Sequence, residues 1–144
     1  MIYTTMPDQF LPLFEVVGCF CEQGDQILFL YRNETKPEGS TWGLPAGKRK
    51  VEETTLNAMQ RELKEETGIT VQGKALSYRK TVYVRYPTYD FVFHMFSAQF
   101  GKRPKVTTNP DEHIASGWYS PDEALHLQLV PDLDACLKLV YNIA

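Results

Sequence analysis

The chain has 144 residues, 43% hydrophobic and 23% charged, with a net charge of −3. That length and composition suit one globular domain over 1–144 with its own core, and they exclude disordered and fibrous classes. The slight acidity excludes a binder of nucleic acid polymers, which needs a basic face, but not a small anionic substrate met by local cations or a metal.

The amino terminus, MIYTTMPDQF, has neither the basic stretch nor the apolar run of a signal peptide. No apolar stretch reaches membrane-spanning length, so the expected setting is cytoplasmic and away from membranes. FEVVGCFCE (14–22) mixes β-branched, aromatic and small apolar residues and predicts a strand, with Cys19 and Cys21 on one face as small buried hydrophobes. With Cys136 the cysteine count is odd, which implies no disulfide framework, and His94, His113 and His126 show no zinc-like spacing. After the turn signal Gln23-Gly24-Asp25, QILFLYR (26–32) predicts a second strand and hence a hairpin. NETKPEGS (33–40) is a polar loop, and TWGLPAGKRK stays irregular through Gly43, Pro45 and Gly47.

From Thr54 to Thr67 the pattern becomes helical. Thr54 or Thr55 caps the start, Leu56, Met59 and Leu63 recur on one stripe, and Gly68 supplies a left-handed terminus. KALSYRKTVYVRY and YDFVFHMFSAQF predict further strands split by a turn at Pro87-Thr88, with His94 a satisfied histidine in mid-strand. SPDE (120–123) fits a capping box, with Ser120 as N-cap, Pro121 at N1 and Glu123 at N3. A last helix is predicted over 131–142, with Leu133, Cys136, Leu137 and Val140 facing inward. Strands on both sides of a central helix, followed by terminal helices, predict an α/β fold with a mixed sheet packed between helices.

The chemistry concentrates in RELKEETG (61–68). On a helix, Glu62, Glu65 and Glu66 fall within about 100° of arc beside the apolar stripe, whereas Asn57, Gln60 and Lys64 lie opposite it. Three partly buried like charges repel strongly unless a cation joins them. A hard divalent metal with oxygen ligands resolves that repulsion, and Mg²⁺ typically shares such carboxylates with substrate phosphates.

Gly47, Glu53, Arg61, Glu62, Glu65, Glu66 and Gly68 complete the pattern G-x5-E-x7-R-E-U-x-E-E-x-G-U, closing with Ile69, where U is bulky and aliphatic. In this box over 47–69 the chain resembles the Nudix hydrolase family. The resemblance extends to the strand pair before the box, the TWGLPAG approach and the EHIASGWYSPDEAL segment. It implies an α/β/α sandwich that binds Mg²⁺ or Mn²⁺ and cleaves a nucleoside diphosphate linked to another moiety. It further implies Glu62, Glu65, Glu66 and the Gly47 carbonyl as metal ligands, and Arg61 paired with Glu53 to orient the acids. Homodimers are common in that family. The general base stays open between these glutamates and a distal acid such as Glu112, with Asp111 the weaker candidate. Many relatives carry Pro-Gly-Gly and then Glu-x-Gly-Glu where this chain has Pro45-Ala46-Gly47 and Lys50-Val51-Glu52-Glu53, so Glu52 replaces a residue that tolerates positive φ.

Arg32, Lys48 and Arg49 are candidates to meet substrate phosphates, with Lys50 completing the basic run. Trp42, Tyr83, Tyr86, Tyr89, Phe91 and Phe93 offer aromatic surface for a base, though sheet packing also accounts for them. The expected function is a metal-dependent pyrophosphohydrolase. The competing reading is a nucleotide-sensing binding module on the same fold, without turnover.

Overall fold

Both faces of the sheet are apolar, and the strand alternation shows why. The computed structural model describes residues 1–144. Strand β1 covers Ile2–Tyr3, β2 Pro12–Gln23, β3 Gln26–Arg32, β4 Trp42–Gly43 and β5 Ala46–Lys48. Helix α1 (Thr55–Thr67) follows, then a 3-10 turn (Gly73–Ala75), β6 (Ser77–Arg85), β7 (Asp90–Gln99), β8 (His113–Tyr119), α2 (Pro121–Ala124) and α3 (Leu133–Tyr141). Along β2, Val17, Cys19 and Cys21 join one buried cluster with Met59 and Leu63 of α1. The intervening Phe20 joins a second cluster with Leu133, Cys136, Leu137 and Val140 of α3. A strand buried on both faces lacks apolar–polar alternation, which is why β2 and β3 read as continuous apolar runs. The sheet therefore lies between α1 and α3, an α/β/α sandwich.

The main sheet runs β1-β6-β7-β2-β3-β4. Strands β2 and β7 are parallel from Glu15↔Val92 to Glu22↔Gln99, and the other pairings of named strands are antiparallel. Strands β2 and β3 pair only beside their turn, at Glu22↔Ile27 and Gln23↔Gln26. Beyond it, β2 takes β5 as partner (Val17↔Gly47), while β3 takes β8 and β4. This divergence puts the loop before α1 and the start of β8 on neighbouring edges.

Local signals place the helix ends. The Thr54 hydroxyl accepts from the Asn57 N–H at 3.1 Å. Gly68 has φ +75° and donates its N–H to the Lys64 carbonyl, a left-handed terminus that suits glycine. The capping box at Ser120 is reciprocal, with both hydrogen bonds formed. Four sequence expectations need correction. The stretch TWGLPAGKRK does not stay irregular, because Trp42–Gly43 pairs with β3 and Ala46–Lys48 with β2. Strand β8 was not predicted, because Ile114, Ala115 and Ser116 are exposed and leave no periodicity. Helix α3 begins at Leu133, since Pro131 precedes it and Asp132 adopts a left-handed φ of 69°. Gln60 is half-buried and donates to the Val71 carbonyl at 2.9 Å. No helix is long and apolar enough to cross a membrane.

Candidate active site

Helix α1 carries the acids, and its packing decides which of them meet the sheet. Met59 and Leu63, both 0% exposed, anchor one stripe in the core. Glu62 and Glu66, adjoining that stripe, come against β5. Glu66 Oε1 accepts the Ala46 N–H at 2.7 Å, tying the helix to the strand. A Cβ on Gly47 would fall 2.1 Å from Cδ of Glu62, so only glycine lets that carboxylate lie against the β5 backbone.

Arg61 organises the rest. Its Nε and Nη2 donate to both oxygens of Glu53 at 2.6 and 2.8 Å, and Nη2 also donates to the Lys48 carbonyl at 3.0 Å. Its Nη1 donates to Glu62 at 2.7 Å and to Glu65 at 3.1 Å. The fork holds the Glu53 carboxyl down at about 2, and that pair in turn raises the Arg61 guanidinium. Glu62 is shifted the other way, because burial outweighs the help from Arg61. Burial chiefly, with Glu62 and Glu112 adding like charge against the Ala46 hydrogen bond, pushes the Glu66 carboxyl up to about 8.

Pairing of β3 with β8 delivers the distal acid. The Asn33 N–H donates to the Glu112 carbonyl at 2.8 Å, and the next residue opens β8. Ligand atoms of Glu66, Glu112 and His113 lie within 4.8 Å of one another. His113 is 3% exposed, and burial, then Arg32, lowers its basicity. Sequence reasoning missed His113; its one signal was adjacency to Glu112. Asp111 lies outside this group. The donor set fits a hard divalent cation: crowded carboxylates, one disfavoured as an anion, with a neutral imidazole beside them.

Glu62, Glu65, Glu66 and Glu112 line a cleft of about 730 Å³ together with Arg32, Lys48, Arg49 and Arg61, whereas His113 lines the cavity behind it. Arg32 and Lys48 also line an apolar cavity of about 280 Å³ on the α3 face, where Phe14, Tyr86, Tyr89, Phe91 and Phe93 supply most of the aromatic wall. Ala46 and Gly47 border both spaces, so the two meet across β5. Lys48 Nζ stands 4.2 Å over the Phe14 ring at that junction. Tyr83 packs edge-on against Phe10, and Trp42 packs between Tyr31 and Tyr119; neither lines the cavity. Arg32 Nε donates to the Pro37 carbonyl at 2.9 Å. Arg49, expected to meet phosphate, lines the cleft but directs its guanidinium to Glu15 and to carbonyls of its own loop. Glu52 has no positive φ, so the loop turns without the glycine many relatives place there.

Residues 12–140 match the family model described as NUDIX domain. The chain is 30% identical over 125 residues to the CTP pyrophosphohydrolase of Escherichia coli (strain K12), covering 84% of this chain and 86% of that protein. It is 30% identical over 115 residues to the 8-oxo-dGDP phosphatase NUDT18 of Mus musculus. That match covers 74% of this chain and 32% of the mouse protein, so the chain spans about a third of that relative's length. Among solved structures, a MutT NUDIX hydrolase from Burkholderia pseudomallei superposes with a TM-score of 0.77 at 26% identity, over 88% of this chain and 97% of that one.

Proposed function

The chain belongs to the Nudix hydrolase family, and we propose that 1–144 is one catalytic domain, a metal-dependent pyrophosphohydrolase acting on a nucleoside triphosphate or a related nucleoside diphosphate derivative. The observation that carries this reading is the junction across β5, where an aromatic cavity opens onto an acid-lined cleft. A nucleotide has the matching halves, a flat base and a polyanionic chain.

Glu62, Glu65, Glu66 and the Gly47 carbonyl would hold Mg²⁺ or Mn²⁺, with Glu112 and His113 facing them. When bound, the cation offsets phosphate charge and makes a water more acidic. Phe14, Tyr86 and Tyr89 receive the base, and Lys48 and Arg32 take phosphate oxygens at the mouth of the cavity. Arg61, fixed by Glu53, keeps Glu62 and Glu65 aimed at the cleft. Glu112 forms no ion pair, whereas Glu65 is held by Arg61, so we assign Glu112 to accept the proton of the attacking water. The water oxygen forms a bond to phosphorus as one anhydride P–O bond breaks, and the leaving phosphate carries away the electron pair. Three free buried cysteines favour a reducing, cytoplasmic setting.

The test is a screen of CTP, dGTP, 8-oxo-dGDP and ADP-ribose with Mg²⁺ or Mn²⁺, read by phosphorus NMR. We expect cleavage of at least one, abolished by EDTA and lowered at least 100-fold by Glu62→Gln with nucleotide affinity changed little. Nucleotides that bind and are never cleaved would overturn the hydrolase reading in favour of a sensor.

A further inference from the structure

A continuous hydrogen-bonded chain crosses three strands on the α1 face of the sheet and ends in the loop that leads into the acidic helix. It starts at Tyr78, whose hydroxyl lies 2.8 Å from Thr81 Oγ1 on the same strand, β6. Thr81 sits opposite His94 of β7 in register, and its hydroxyl lies 2.8 Å from His94 Nδ1. His94 Nε2 lies 2.6 Å from Glu15 Oε1 on β2. The other oxygen, Glu15 Oε2, accepts from Arg49 Nη2 at 2.5 Å. Two proton arrangements satisfy every link, and in both Nε2–H donates to Glu15: either the Thr81 hydroxyl donates to Nδ1, or Nδ1–H donates to the Thr81 hydroxyl. Arg49 and His94 together hold the Glu15 carboxyl below its usual range.

Arg49 carries this order into the loop. Its Nη1 donates to the Glu53 carbonyl at 2.8 Å and to the Lys50 and Val51 carbonyls at 3.3 Å each. The loop thus wraps around one guanidinium, which replaces the conformational help a glycine at 52 would provide. Glu53 is then gripped from both ends. Arg49 holds its carbonyl, while the Lys50 N–H and the Arg61 fork hold its carboxylate. Arg61 is the residue that reaches Glu62 and Glu65. Neither Glu15 nor His94 lines the cleft, and the hydrogen bonds that connect them to it run through Arg49 and Glu53.

We propose that Glu15 and His94 are positioning residues for the acidic cleft, setting Arg61 and its glutamates through Arg49 and Glu53. The proposal rests on the hydrolase reading for the purpose of that cleft, but not for its test. Partners outside the ligand shell typically change metal affinity or activity by 10- to 100-fold. These two stand further out, so a smaller effect is expected.

Three variants decide it. Glu15→Gln keeps the size and removes the charge that Arg49 needs. His94→Leu removes both ring contacts. His94→Gln keeps one N–H for Glu15. Each is read by Mn²⁺ affinity from the free-ion EPR signal without nucleotide, by amide exchange of residues 49–53 in metal-free protein, and by kcat and KM on a cleaved nucleotide. We expect Glu15→Gln and His94→Leu to weaken Mn²⁺ binding about fivefold and to speed exchange at Lys50 and Glu53 about tenfold. kcat should fall while KM stays within about twofold of wild type, and His94→Gln should recover Mn²⁺ binding to within about twofold. The proposal is overturned if folded Glu15→Gln or His94→Leu protein keeps wild-type Mn²⁺ affinity and exchange, or if His94→Gln binds Mn²⁺ as weakly as His94→Leu. Should His94→Leu fail to fold, Glu15→Gln with the exchange measurement carries the same decision. A wild-type chain that cleaves no nucleotide counts against the hydrolase reading alone, because the Mn²⁺ and exchange measurements need no turnover.

Discussion

Replacing Glu66 with glutamine removes a charge that the metal-free fold disfavours, so the variant should be more stable than wild type while binding metal less well. Burial pushes this carboxyl up to about 8 in the folded chain from an ordinary value of 4.5. Because the folded value is the higher one, the associated stability is fully present below 4.5 and is lost as pH rises through about 8. At pH 7.5, about three pH units above the unfolded value, the ceiling on that loss is about 4 kcal/mol. Glu66 is only part-buried and borders an open cleft, and solvent there reduces the figure to about 2 kcal/mol. Glutamine keeps an oxygen for the Ala46 N–H, so the anchoring hydrogen bond survives. Calorimetric melts in EDTA should show a gain below about 1 kcal/mol at pH 5 and about 2 kcal/mol at pH 8, the latter raising Tm by roughly 6 °C. Added Mn²⁺ should then stabilise wild type more than the variant. A variant no more stable than wild type at pH 8, or one with equal gains at both pH values, would refute the reasoning.

Other substitutions probe the remaining parts. Arg61→Lys keeps the charge but cannot fork across Glu53 while reaching Glu62 and Glu65; kcat should fall about 10- to 100-fold in steady-state assays. Gly47→Ala drives a Cβ to 2.1 Å from the Glu62 carboxyl carbon. It should cost about 1–3 kcal/mol in thermal melts and weaken Mn²⁺ binding at least tenfold by EPR titration. Tyr89→Ala, in the aromatic cavity, should raise KM by roughly 5- to 100-fold with kcat nearly unchanged, the range expected for one lost base-stacking contact.

Much of the acidic helix was legible because its information is local. Helical spacing alone places Glu62, Glu65 and Glu66 beside the stripe of Met59 and Leu63, and Thr54 and Gly68 mark its ends through bonds made within four residues. The capping box at Ser120 has the same short reach. Arg61 and Glu53 are eight residues apart, and the box pattern was enough to pair them. The long-range pairings were not legible. His113 joins Glu66 and Glu112 only because β8 pairs with β3. Arg49 looked like a free cation until the sheet brought Glu15, 34 residues away in the chain, to its guanidinium. Tyr86 and Tyr89 became cavity wall, while Tyr83 and Trp42 became packing, because strand register sends their side chains to different surroundings. Helix periodicity and capping are written in neighbouring residues and survive without a partner. Burial, counter-charge and the meeting of two cavities across β5 exist only once distant strands pair, and tertiary structure alone decided them.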